Sequence, residues 1–233
     1  LENLAASLND STLAVMQSNG MTCSPEYASY HPVNLLLSGP AGGLIGASYI
    51  AKTAGFEKIM TFDMGGTSTD VALIDGQISL TTEGQVGGYP VAIPMVEMHT
   101  IGAGGGSIAR VDLGGLLQVG PSSAGADPGP ACYGQGGKNV TVTDANLVVG
   151  RLPLETRFSG GMKLDFEKAL AVVEDLAGGL GLSLTQAAQG VLEIVNNMMV
   201  QALKEISIER GIDPTDFTLV PFGGCGGLHC CYL

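Results

Sequence analysis

Apolar positions along the chain fall into short runs broken by glycine-rich stretches, and their spacing predicts strands and helices in alternation. Glu2–Leu8 reads as the tail of a helix, and Thr12–Met16 as a short strand ending at an Asn19-Gly20 turn. Val33–Leu37 is a short apolar run that breaks at Ser38-Gly39-Pro40. Gly43–Ala54 is helical in pattern, with Gly55 placed to cap it. Lys58–Phe62 predicts a strand entering Asp63-Met64-Gly65-Gly66-Thr67-Ser68-Thr69-Asp70, with Val71–Ile74 a second strand. Asp75-Gly76 is a hairpin turn and Gln77–Thr82 a third strand. Asp165–Ala177 carries Phe166, Leu170, Val173 and Leu176 at helical spacing and stops at Gly178-Gly179. A second helix, from Ser183 or Thr185 to about Arg210, has Val191, Ile194, Val195, Met198, Ala202 and Ile206 on one face. It opens on a Ser183-x-x-Gln186 capping box and ends before Gly211 and Pro214. Phe217–Phe222 is a final strand running into Gly223-Gly224-Cys225-Gly226-Gly227, whereas Arg110–Gly137 has little regular pattern and reads as a loop-rich functional insertion.

Composition sharpens this picture at three points. Glycine supplies 36 of 233 residues, about 15% and roughly twice ordinary usage, in clusters that mark sharp turns or close backbone approach to a ligand. Ten basic against 22 acidic residues give a net charge of −12, which excludes a phosphate-tracking nucleic-acid surface. Cys23, Cys132, Cys225, Cys230 and Cys231 form no CxxC pair, and their odd number fits reduced cytoplasmic thiols better than a secreted disulfide frame. No secretory signal is visible at the start of the sequence. Tyr27–Ala51 lacks Asp, Glu, Lys and Arg, but His31, Pro32, Asn34, Pro40 and four glycines interrupt it, so it reads as buried core and not as a membrane span.

The strongest chemical signal is Asp63–Asp70 at a strand–turn–strand junction. Gly65 and Gly66 let backbone N–H groups turn toward phosphate oxygens, and Thr67, Ser68 and Thr69 add uncharged donors. Asp63, at the strand end, suits a hydrated Mg²⁺ or an attacking water; the competing reading is an ordinary glycine-bearing turn. Gly137-Lys138-Asn139 fails the Walker A pattern. Gly102-Ala103-Gly104-Gly105-Gly106-Ser107 fails the dinucleotide pattern; it can pack closely on a partner backbone or open a helix toward an anion, and a structural role is favoured there. Glycines at 223–227 can let an adenine and ribose lie against the chain, or simply form a tight turn. Asp144 reads as a helix cap or a catalytic carboxylate. His99, Asp127 and His229 are polar residues near glycine-rich loops, and the Cys225/His229/Cys230/Cys231 cluster reads as chance more than as a zinc site.

Six stretches closely resemble the hydantoinase A/5-oxoprolinase family. They are Val15–Gly20, Leu37-Ser38-Gly39-Pro40-Ala41-Gly42-Gly43, Thr61–Asp70, His99–Ser107, Ser123–Gly134 and Thr143-Asp144-Ala145-Asn146, in order along nearly the whole chain. The resemblance implies an α/β fold of the actin-like, ribonuclease H-like ATPase type, a lobe with a mixed sheet flanked by helices and a loop-rich insertion. Residues 1–57 would be an incomplete N-terminal segment with a lead-in helix. Residues 58–233 would be the second lobe, with an insertion at about 108–150 and a truncated C-terminal end, within an internal fragment. Gly65, Gly66, Thr67, Ser68 and Thr69 would cradle ATP phosphates, and Gly223, Gly224 and Gly226 would meet adenosine. Asp63 and Asp70 would be catalytic, with Asp63 also a Mg²⁺ ligand. The implied activity is ATP-dependent opening of a cyclic amide, hydantoin or 5-oxoproline in type, beside a hydantoinase B-type subunit. The alternatives are an ATP-dependent ketone carboxylase subunit and a non-catalytic interaction module. Cys225 and Gly227 stand where the family usually has alanine and proline.

Overall fold

The computed structural model describes every residue except Asn9, Asp10, Gly87 and Thr156. A first helix, α1 (Glu2–Ser7), precedes the two-stranded pairing of β1 (Val15–Met16) with β2 (Thr22–Cys23), which closes over the expected Asn19-Gly20 turn. Helix α2 (Pro25–Tyr30) follows, then α3 (Ser38–Thr53), which begins five residues earlier than the sequence pattern indicates. Pro40 does not break α3 because it lies in the first turn, where its missing N–H has no intrahelical partner to lose.

The central sheet holds β3 (Lys58–Met64), β4 (Thr69–Asp75) and β5 (Gln77–Ile78) with the later β10 (His99–Ile101) and β13 (Thr218–Phe222). The order is β10-β4-β3-β13: β13 is parallel to β3, the β3–β4 and β4–β10 pairs are antiparallel, and β5 joins β4 across the Asp75-Gly76 hairpin. The mixed sheet is the one anticipated, but the third strand is split. After Ile78 the chain leaves, β6 (Leu80–Thr81) pairs with β9 (Met95–Val96), and β10 pairs with the other end of β4. Between β6 and β9, β7 (Gly84–Val86) and β8 (Tyr89–Val91) make a separate small hairpin.

Arg110–Gly137 is more regular than its sequence pattern indicates. β11 (Ser107–Val111) and β12 (Leu117–Ser123) form a hairpin whose Ala109 and Val119 are buried in the main core. Gly120-Pro121-Ser122-Ser123 disguises the second half of β12, because none of these residues favours a strand by type. Helices α4 (Val142–Val148), α5 (Phe166–Leu180), α6 (Leu184–Ile206) and α7 (Gly223–His229) complete the chain. Helix α5 runs through Gly178-Gly179 and is capped instead by Gly181 in the left-handed region, at φ 66°. Helix α6 has the expected Ser183/Gln186 capping box but stops at Ile206, after which Ile208–Arg210 makes a single tight turn.

Alternation along β3 and β4 divides the core between two faces. Met60, Phe62, Met64 and Val71 pack with Val173, Val191, Leu192, Val195 and Met199 from α5 and α6. Ile59, Ala72 and Ile74 pack on the opposite face against Ala41, Leu44 and Ala51 of α3. Asp63 and Asp70 share the parity of this second set, which places both carboxylates on the α3 side at one end of the sheet. The charge-poor stretch Tyr27–Ala51 is not a buried core: Tyr30 and Tyr49 are 78% and 70% exposed, and only one face of α3 is covered. Among the described residues, no helix is long and apolar enough to cross a membrane.

Candidate active site

The β3–β4 hairpin pairs Asp63 directly with Asp70, and its four-residue tip Gly65–Ser68 closes with the Gly65 N–H donating to the Ser68 carbonyl at 3.0 Å. Directly opposed residues project to the same face, within reach of each other's charge. Burial pushes the Asp63 carboxyl above the ordinary carboxylate range, and the neighbouring Asp70 charge adds to the effect. Burial also raises Asp70, opposed by a hydrogen bond of 2.5 Å from the Thr100 hydroxyl. The two carboxylates open into a small cleft lined by Pro40, Leu44, Met98 and Phe222. Phe222 reaches α3 at Gly43, where an added Cβ would stand 2.7 Å from the ring.

Gly223 completes this end of the sheet. Phe222 is in register with Asp63, so the chain leaving β13 passes beside the carboxylate. Gly223 has φ +78°, and an added Cβ would collide with Asp63 Oδ1 and the Met64 carbonyl. The sequence stretch read as a loop is therefore α7, a helix that starts at Gly223 itself. Gly223 and Gly224 are exposed at its first turn, whereas Gly226 is buried with an added Cβ only 3.4 Å from the Phe62 carbonyl. Gly226 serves the packing of α7 on β3 and does not face the cleft.

The tip residues divide in the same way. Gly66 and Thr67 are exposed and Gly65 and Ser68 are half-buried, but Thr69 is fully buried and its hydroxyl proton goes to the Ala103 carbonyl at 2.6 Å. Thr69 thus holds the hairpin to the Gly102–Ser107 loop and has no proton left for a phosphate. That loop lies on the tip backbone: the Gly105 N–H donates to the Gly65 carbonyl at 2.9 Å and the Gly106 N–H to the Gly66 carbonyl at 2.6 Å. A Cβ at Gly104 would come within 2.7 Å of the Gly66 and Thr67 backbone. The close-packing reading of this loop is the one the structure bears out.

Asp144 is a structural carboxylate. It completes a capping box with Thr141 at the start of α4 and accepts the Cys132 N–H at 2.8 Å and the Ala131 N–H at 3.3 Å. His99 pairs with Glu205 at 3.0 Å, and Asp127 lies in an exposed turn. His229 is fully buried between Asn196 and Asn146, and burial followed by the Arg151 charge pulls its pKa down to about 4. Both ring nitrogens are occupied, so His229 is not offered to a metal alongside the neighbouring cysteines. Thr100, which bonds Asp70, and Asn146 and Asn196, which bond His229, carry no individual role in the sequence pattern, although Thr100 and Asn146 lie in the family-like stretches His99–Ser107 and Thr143–Asn146. The signal for Thr100 is the alternation in His99-Thr100-Ile101, which forms β10.

A mixed sheet between helical layers, with a carboxylate pair at the sheet end beside two glycine segments, defines an α/β protein with its acidic pair at the edge of a small, mostly apolar cleft. The chain belongs to the Hydantoinase/oxoprolinase family, whose sequence profile matches residues 1–233. It is 42% identical to caprolactamase subunit alpha of Pseudomonas jessenii over 215 residues, covering 91% of this chain and 31% of that protein. The crystal structure of the ATP-dependent caprolactamase from the same organism matches 100% of this chain and 34% of that one, with a TM-score of 0.84 and 38% identity. Nucleotide-free acetone carboxylase matches with the same TM-score of 0.84 at 32% identity, over 94% of this chain and 31% of that one. The chain thus spans about a third of the length of these relatives.

Proposed function

We propose that this chain is one actin-like lobe of an ATP-dependent cyclic amidohydrolase and that Asp63, Asp70 and the two glycine segments form its nucleotide-facing surface. The observation that carries the reading is the opposed Asp63/Asp70 pair beside the exposed Gly65–Ser68 tip and Gly223. Two carboxylates held together at raised pKa are hard oxygen donors short of positive charge, which fits Mg²⁺. Asp63 would hold the cation, and Asp70, oriented by Thr100, would hold it or orient water. Gly66, Thr67 and Ser68 would receive phosphate oxygens, Gly65 would shape the tip with its N–H on the Ser68 carbonyl, and Gly224, beside the tightly packed Gly223, would let adenosine approach the backbone. Residues 58–233 would form the lobe proper, with the 108–150 segment inserted in it.

ATP, as co-substrate, would supply a phosphoryl group to the carbonyl oxygen of the cyclic amide, making the carbonyl carbon open to water. In such transfers protein groups mainly position and stabilise charge, and the rigid β3–β4 tip is suited to that. The family likeness and the ATP dependence of the caprolactamase support this reading. A hydantoinase B-type partner is supported by the subunit character of the caprolactamase relative. Of the segment Arg110–Gly137, the exposed Leu113 and Leu116 at the β11–β12 tip are the part suited to face it, since Val119, Ala131 and Cys132 are buried in this chain's own core.

Asp63→Asn in the full-length protein tests the reading. ATP-dependent opening of caprolactam, hydantoin or 5-oxoproline is expected to fall at least about 100-fold, with the fold retained. Undiminished activity would reject it. The equal structural likeness to acetone carboxylase favours a second reading, ATP-dependent ketone carboxylation. Turnover that requires bicarbonate and a ketone would select it.

A further inference from the structure

The glycine-rich helix beside Asp63 is poorly built to hold its own position. Helix α7 has seven residues, and Gly223, Gly224, Gly226 and Gly227 are four of them. Glycine costs roughly 1 kcal/mol per helical position against alanine, and so short a helix does not persist alone. Its N-cap, Phe222, offers no side-chain hydrogen bond. The place of α7 is therefore set by contacts from outside it: Gly226 packs on Phe62, Cys225 lies against the Gly105 backbone, and the side-chain hydrogen bonds to other helices come from its last residue, His229.

His229 is completely buried and bonded at both ring nitrogens. Nδ1 donates to Asn196 Oδ1 on α6 at 2.7 Å, and Nε2 accepts from Asn146 Nδ2 on α4 at 3.2 Å. Asn146 Nδ2 also donates to the Val142 carbonyl at 3.1 Å, which orients the amide and fixes the neutral histidine tautomer. Arg151, stacked 3.9 Å over the Tyr232 ring, is the cation nearest this network.

One of these anchoring helices also holds the other glycine segment. At the start of α4, the Thr143 N–H and hydroxyl both donate to the Gly105 carbonyl at 2.8 Å, and the Gly105 N–H donates to Gly65 in the β3–β4 tip. Helix α4 thus reaches the tip through Thr143 and α7 through Asn146, one turn apart.

We propose that His229 is a positioning residue that, through Asn146 and Asn196, fixes α7 on α4 and α6 and so sets the approach of Gly223 to Asp63. The proposal deepens the nucleotide reading above and rests on it for its link to activity. Nothing in it requires His229 to touch the nucleotide. Its loss acts by freeing the N-terminal turn of α7, where Gly223 sits against Asp63 Oδ1 with no space for a Cβ.

Amide hydrogen exchange and binding of a non-hydrolysable ATP analogue, both on the full-length protein, test it. His229→Ala is expected to raise exchange across Gly223–Gly227 about tenfold, leave β3 unchanged and weaken analogue binding about tenfold. His229→Gln keeps a donor and an acceptor at similar separation and is expected to restore both to within about threefold of wild type. Asn196→Ala, a milder lesion, is expected to raise the same exchange about threefold, and it decides the matter if His229→Ala does not fold. Unchanged exchange across Gly223–Gly227 in these variants would overturn the proposal. Raised exchange with unchanged analogue affinity would overturn the link to the site. Wild-type protein that bound no analogue would defeat the nucleotide reading instead, and the exchange comparison would still judge the anchor.

Discussion

The two glycine segments that meet at Asp63 are held in place by opposite means. The tip Gly65–Ser68 hangs on a seven-residue antiparallel ladder and is braced from behind by the backbone of Gly104–Gly106. Helix α7 has no ladder, and its polar anchor is a buried histidine at its far end. Glycine also does different work in each. At Gly66 the surroundings are open and φ is not in the left-handed region, so the absence of a side chain serves only whatever approaches from outside. At Gly223 and Gly104 the space is already filled by the protein itself. A glycine-rich stretch is therefore not one signal but two, and only the local packing separates them.

Substitutions at these positions should break or sharpen that contrast. The largest effect is expected at Gly104→Ala, whose new Cβ would press on the Gly66 and Thr67 backbone at 2.7 Å. A loss of about 2–4 kcal/mol in urea unfolding is expected, because backbone on both sides must move. Gly223→Ala should come next, with a clash against Asp63 and strain at φ +78°, and should lower ATP-dependent turnover at least about 100-fold. Gly66→Val should leave the melting temperature within about 2 °C of wild type while abolishing ATP-dependent turnover, since nothing stands within 4 Å of a Cβ there. Gly66→Val protein with near-normal turnover would make the tip a structural turn only.

A pH dependence separates the two regions by sign: the raised carboxyls of Asp63 and Asp70 at the base of the tip gain stability as pH falls toward their range, whereas α7 loses it. His229 has a folded pKa of about 4 against an ordinary value of 6.5, so the fold favours the neutral ring. Its contribution is fully present above about pH 6.5 and is lost as pH falls toward 4. Across that window, unfolding free energy should drop by an amount on the order of 3 kcal/mol at most. Denaturant unfolding from pH 7 to 4 should show this slope in wild type and lose it in His229→Gln. An unchanged slope in that variant would assign it to other groups.

The sequence made the β3–β4 hairpin legible, because apolar runs flank the Asp63–Asp70 stretch on both sides and a buried sheet strand reads as a continuous run. The Ser183/Gln186 cap and the face of α6 were equally plain. What sequence could not separate was role among similar residues. Thr69 and Thr67 look alike in the chain, yet one bonds Ala103 in the interior and the other stands exposed. Gly226 and Gly224 differ in the same manner, since only the first meets Phe62. Helix α7 was read as a loop because its glycines hide the contribution of His229, which depends on asparagines 33 and 83 residues away. The 117–123 strand was hidden by residues that its neighbour β11 recruits through the ladder rather than by type.

The proposed assembly of Asp63, Asp70 and the glycine segments into one nucleotide and cation site can be measured directly. Calorimetric titration of a non-hydrolysable ATP analogue into the full-length protein, with Mg²⁺ and with chelator, measures this. Wild-type protein is expected to bind the analogue at least about tenfold more tightly with Mg²⁺, and Asp63→Asn to lose most of that difference while keeping its melting temperature. An equal Mg²⁺ enhancement in wild type and Asp63→Asn would contradict the claim.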